Sequence, residues 1–127
     1  MESMDDCRVT LSAMDRDYDV FPDDDNGDVL WCMQEQGDNL SKQREIDFCA
    51  IFPTEESALQ FAALLLKSGQ KVSFSAYEGS TEMPWQVLVH PIMLPTYDNI
   101  TRFELMFGEN AAQFGWRNDG WGSIEQD

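Results

Sequence analysis

Basic side chains are scarce in this chain: 8 Lys and Arg stand against 24 Asp and Glu, for a net charge of −16. Binding a phosphate backbone requires clustered cations that displace counterions, so this balance argues against direct nucleic-acid binding and points to basic partners. Histidine occurs once, as His90. No Ser/His/Asp or Cys/His set can be assembled without it. Its place at a strand end before Pro91, with no nearby nucleophile, implies a structural or surface role. Cysteine is limited to Cys7, Cys32 and Cys49. That odd number, without a C-x-x-C pair, reads as reduced thiols and not as a disulfide framework. No apolar run approaches the roughly 18 residues of a membrane span, so membrane insertion is not expected. The start Met1-Glu2-Ser3-Met4-Asp5-Asp6 lacks the basic and apolar regions of a signal peptide. The expected location is therefore the cytoplasm, with the sequon Asn99-Ile100-Thr101 unglycosylated.

A hydrophobic fraction of 43% over 127 residues is enough for one packed domain without metal or disulfides. The acid is unevenly spread. Residues 1–28 carry ten Asp/Glu against Arg8 and Arg16, which suggests an acidic, flexible N-terminal extension over 1–28 ahead of a folded domain over 29–127. Within the extension, Asp23-Asp24-Asp25-Asn26-Gly27-Asp28 reads as a compact acidic turn with Gly27 able to adopt positive φ. The stretch from Val29 to Gln36, ahead of Gly37, reads as a short helix ending at a glycine cap.

From Arg44 the periodicities sharpen. Ile46, Phe48, Ala50 and Phe52 alternate with Glu45, Asp47 and Cys49, the two-residue repeat of a half-buried strand, which Pro53 stops. Thr54 is placed to cap a helix whose first turn holds Glu55 and Glu56, favourable at the positive end of its dipole. The run from Ala58 to Leu66 is apolar on nearly every face, so this helix is expected to be the most buried, with Gly69 closing it. A second strand carries Val72, Phe74 and Ala76. Glu78-Gly79-Ser80-Thr81 connects it to a strand from Trp85 to Val89, ended by Pro91. Ile100, Phe103, Phe107, Ala111 and Phe114 recur at helical spacing up to Gly115, and Gly120 to Ile124 reads as a last strand. The order strand, helix, strand, strand, helix, strand implies a ferredoxin-like α+β sandwich: an antiparallel four-stranded sheet with two helices on one face.

Candidate sites follow from the same residues. The acidic turn could attract a cation, but aligning Gly27 with the glycine of an EF-hand loop puts Pro22 first and Met33 twelfth, where that loop needs acidic ligands. Asp23, Asp24 and Asp25 are therefore read as a solvated surface for a basic partner, with no metal site. Cys49, inside an apolar strand, reads as a small hydrophobe. Glycines on both sides of Trp121 leave its indole either packed against a helix or free to anchor a partner, so Asp119 and Trp121 join the partner-binding candidates. Arg44, beside a strand in an acidic protein, is expected to pair internally with an acid such as Asp119 or Asp47. Alternatives from other classes are a small metal-dependent hydrolase using clustered Asp residues and a ferredoxin-like RNA binder. The second needs basic neighbours around exposed aromatics, and Lys and Arg are too few.

An ordered set of short motifs runs from Asp38 to Gly122. It comprises Gly37-Asp38-Asn39-Leu40-Ser41 leading to Arg44-Glu45-Ile46-Asp47-Phe48; Phe52-Pro53 before Phe61-Ala62; Gly69; Trp85; Met93-Leu94-Pro95-Thr96; Ile100-Thr101 with Glu104; and Asp119-Gly120-Trp121-Gly122. In this order and spacing the chain resembles the regulator of ribonuclease E activity B family of proteobacteria. Members carry a long acidic tail after the last motif, whereas here the acidic excess lies at the N-terminus. The resemblance implies a cytoplasmic, ferredoxin-like protein, not an enzyme and without cofactors, that binds ribonuclease E, inhibits its cleavage and so shifts RNA abundance. It also implies motif roles for Arg44, Asp47, Phe48, Trp85, Pro95, Thr96, Gly120 and Gly122.

Overall fold

The computed structural model describes residues 16–123. Cys7, most of the acidic extension and Ile124 lie outside the described residues. Strand β1, Arg44–Phe52, organises the rest. Ile46, Phe48, Ala50 and Phe52 are buried while Glu45, Asp47 and Cys49 point to the opposite face, as the two-residue repeat requires. Thr54 then caps helix α2, Glu55–Lys67, its hydroxyl accepting from the Ser57 N–H at 3.1 Å. Strand β2 (Val72–Ala76) pairs with β3 (Trp85–Val89), and β3 pairs with β1. Helix α3, Tyr97–Ala111, follows, its N-cap Thr96 accepting from the Asn99 N–H at 3.1 Å. Strand β5 (Arg117–Ser123) pairs with β1 on its other edge.

Among the described residues the sheet has five strands where four are expected. The short β4, Ile92–Met93, faces Glu45 and Arg44, continuing the register in which Phe48 faces Val89. Strands β3 and β4 are thus one path interrupted at Pro91, which lacks an N–H to extend the ladder. Its carbonyl still accepts from the Ile46 N–H at 2.8 Å, so the edge is not broken.

The core lies between the sheet and helices α2 and α3. Phe48, Phe52, Phe61 and Phe107 are fully buried there with Ile46, Val87, Val89 and Ile100. Truncating any of these phenyl rings costs about 3–5 kcal/mol. Helix α2 buries Ala58, Phe61, Ala62 and Leu65, but Leu59 and Leu66 remain exposed, so its apolar run is wider than the face the sheet can cover.

The largest departure lies upstream. Helix α1 spans Asp25–Glu35, so it begins four residues before the expected start and contains the expected boundary at residue 28. Asp24 is its N-cap, accepting from the Gly27 N–H at 2.8 Å. Gly27 is helical and not at positive φ. Its role is close approach, since a Cβ there would lie 1.8 Å from the Pro22 carbonyl oxygen. Phe21, Leu30 and Trp31 form a second buried cluster with Tyr97 and Trp121 against it. Cys32, on this helix, is disulfide-bonded, a departure from the expected reduced thiol. Cys49 is a free thiol.

Candidate functional site

Two surfaces gather the predicted site residues. The first is the N-terminal end of α1. Asp23, Asp24 and Asp25 are all exposed, but they are not equivalent. Asp24 caps the helix with one carboxylate oxygen and accepts from the Tyr97 hydroxyl with the other, which ties α1 to α3. That hydrogen bond, with burial and the charge of Asp24, raises the Tyr97 phenol above its ordinary pKa. Asp28 is engaged by Arg16 at 2.8 Å. Beside this end lies a cavity of about 300 Å³. Val20, Phe21, Leu30, Leu40 and Pro95 form its apolar wall, and Asp19 and Asp98 stand at its edge.

Trp121 belongs to the framework of this region. Its indole is half-buried and packs against both apolar clusters. Its Nε1–H donates to Asn26 Oδ1 at 3.0 Å, while the Asn26 amide reaches Glu104 at 3.2 Å. Of the two readings of Trp121, packing is the one with observed contacts. Gly120, at φ +88°, sits where the β1–β5 register shifts between Phe48 and Ala50. A bulge of this kind suits glycine and turns the indole inward. Gly122 stands opposite Asp47 in the same pairing.

The second surface is the helix-free face of the sheet. Asp119 accepts from the Tyr77 hydroxyl at 3.3 Å and from the Cys49 thiol at 3.7 Å. Its negative charge raises the Tyr77 phenol. Burial first, and Asp119 second, push the Cys49 thiol up to about 12. Arg44 does not pair with Asp119 or Asp47. Its partner is Asp38, at 2.7 Å with both side chains 2% exposed, and it also donates to the Asn39 carbonyl at 2.7 Å. Asp119 and Asp47 project to the open face, whereas Asp38 and Arg44 are buried together.

Asp47 instead meets His90. Its Oδ1 lies 2.6 Å from His90 Nδ1, and Ser73 Oγ lies 2.7 Å from Nε2. The expectation that His90 has no nucleophile near it therefore fails: Ser73 on β2 is brought beside it by strand pairing. Glu45 Oε1 is 3.8 Å from the same Nδ1. Lys71 donates to Glu45 Oε2 at 2.9 Å and lowers the pKa of that carboxyl. The connectivity Ser73–His90–Asp47 is that of an acyl-transfer triad, but Ser73 lies on an exposed strand and the cavity at α1 is lined by other residues.

Among the motif residues, Phe48 and Pro95 are buried in the interior and Trp85 stacks on Phe74 at 5.5 Å. With Thr96 capping α3, these motifs maintain the architecture. Fold and surface together define a small α+β protein that displays carboxylates around a tightly braced framework. The family model described as regulator of ribonuclease activity B matches residues 23–123, and the chain belongs to that family. No curated protein was found to match it. No helix among the described residues is long and apolar enough to cross a membrane.

Proposed function

We propose that this protein is a non-enzymatic, cytoplasmic regulator that binds ribonuclease E directly and inhibits its cleavage of RNA. The observation that carries the reading is membership of the ribonuclease-regulator family over residues 23–123. The mechanism rests on charge. With a net −16, the protein meets a basic, arginine-rich segment of its partner as a competitor of RNA, because carboxylate and phosphate use the same guanidinium forks. Exposed Asp23 and Asp25 at the start of α1, with Asp19 and Asp98 at the adjoining cavity, supply such a surface. Asp119 extends the acid onto the open sheet face. Trp121 contributes by holding α1 in place and not by direct contact.

The test is a cleavage assay with purified ribonuclease E and an RNA substrate at increasing concentrations of this protein. Inhibition that saturates at stoichiometric complex, and that survives Ser73→Ala, supports a binding mechanism. Inhibition lost in a folded Ser73→Ala variant would instead favour chemistry at the Ser73–His90–Asp47 chain.

A further inference from the structure

Three ligand-type side chains converge on the helix-free face of the sheet, away from α1. Glu45 and Asp47 share that face because they are two residues apart on β1. His90 stands across from Asp47, one step beyond the Phe48–Val89 pair. One donor atom from each residue lies within 4.8 Å of the others. His90 Nδ1 is 2.6 Å from Asp47 Oδ1 and 3.8 Å from Glu45 Oε1. Two ligands on one dication, at metal bonds of about 2.1 Å, stand about 3.0–3.4 Å apart in octahedral or tetrahedral geometry. The observed separations bracket that span.

The outward atoms are already held. His90 Nε2 contacts Ser73 Oγ at 2.7 Å, and Glu45 Oε2 accepts from Lys71 at 2.9 Å. Nδ1 and Oε1 are thereby turned toward each other. Metal-binding histidines are oriented in this way, the second ring nitrogen donating to an outer partner that fixes the tautomer.

We infer that Glu45, Asp47 and His90 form a binding site for a borderline transition dication of the Zn²⁺ type, with water completing the shell. One imidazole with two carboxylates favours such ions over Ca²⁺, which takes oxygen ligands alone. On binding, Nδ1 gives up its proton and Nε2 takes one up by exchange with solvent, so the imidazole stays neutral, ligates through Nδ1, and Ser73 changes from donor to acceptor at Nε2. The net −16 raises the local cation concentration. The Lys71 ammonium opposes the ion and keeps it exchangeable.

Because His90 is the sole histidine, its ring nitrogens report on the site without ambiguity. The untagged, ¹⁵N-labelled full chain is titrated with zinc chloride and its imidazole nitrogen resonances are followed. The expected result is a saturable one-to-one change at Nδ1, with the ring proton on Nε2 in the bound form. Glu45→Gln and Asp47→Asn are each expected to weaken it by about tenfold or more. An Nδ1 resonance that does not respond to millimolar zinc overturns the inference. So does a response undiminished in both folded carboxylate variants, which would describe a lone surface imidazole. If a variant does not fold by circular dichroism, the wild-type titration decides alone.

Discussion

Replacing Asp38 with Asn tests the most deeply buried ion pair among the described residues. Its carboxylate lies 2.7 Å from Arg44 Nη1, and both side chains are 2% exposed. Removing one partner of such a pair takes the opposing charge from a buried guanidinium, a loss of about 3–5 kcal/mol. Asn keeps an acceptor, which places it at the lower end, near 3 kcal/mol. With a urea m-value of about 2 kcal/mol/M, the unfolding midpoint should fall by roughly 1.5 M. Asp47→Asn and Asp119→Asn are the controls, because both acids lie on the exposed sheet face and neither touches Arg44. Each should move the midpoint by no more than about 0.3 M, the scale of a surface substitution. Equilibrium unfolding followed by tryptophan fluorescence reads all three. A loss on Asp38→Asn no larger than in the controls would refute the assignment of Asp38 as the partner of Arg44.

Three further outcomes follow from the same structure. Trp121→Ala should destabilise the domain by about 3 kcal/mol, while Trp121→Phe, which loses mainly the Asn26 hydrogen bond, should cost about 1 kcal/mol; a stable Trp121→Ala variant that loses partner binding would make the indole an anchor instead. With Cys49 held up to about 12, its thiolate fraction at pH 8 is on the order of a thousandfold below that of an ordinary thiol. Ellman's reagent should therefore label it far more slowly in the native than in the denatured protein, and equal rates would contradict the burial. Since the folded pKa lies above the unfolded one, the stability linked to this thiol is complete below the ordinary thiol pKa and is lost as pH rises toward 12. Denaturation midpoints compared at pH 8 and pH 11 should fall, and a rise would reverse the sign.

Much of the architecture was legible because it rests on local rules. The alternation from Ile46 to Phe52, the Thr54 cap and the helical spacing from Ile100 to Phe107 each depend on near neighbours. What stayed hidden depends on register or on contact between distant segments. The string from Asp23 to Asp28 has the composition of a turn, yet Asp24 caps a helix and Gly27 is there because Pro22 crosses it. The signal was an acid followed three residues on by a free N–H, which turn and cap share. Arg44 has several acids within reach in sequence, and only the packed loop from Asp38 to Gln43 selects among them. Ser73 and Asp47 come from two strands and His90 from the link between β3 and β4. Their meeting requires the pairings of Phe48 and Val72 with Val89, which composition does not encode.

The most direct measurement is the binding of purified ribonuclease E to the immobilised full chain, with association and dissociation rates recorded at low and at physiological ionic strength. Direct binding is expected, with an association rate that falls steeply as salt screens the field and drops further in Asp23→Asn and Asp19→Asn variants that keep their fold. Absence of binding at low salt, or binding indifferent both to salt and to these carboxylates, would contradict it.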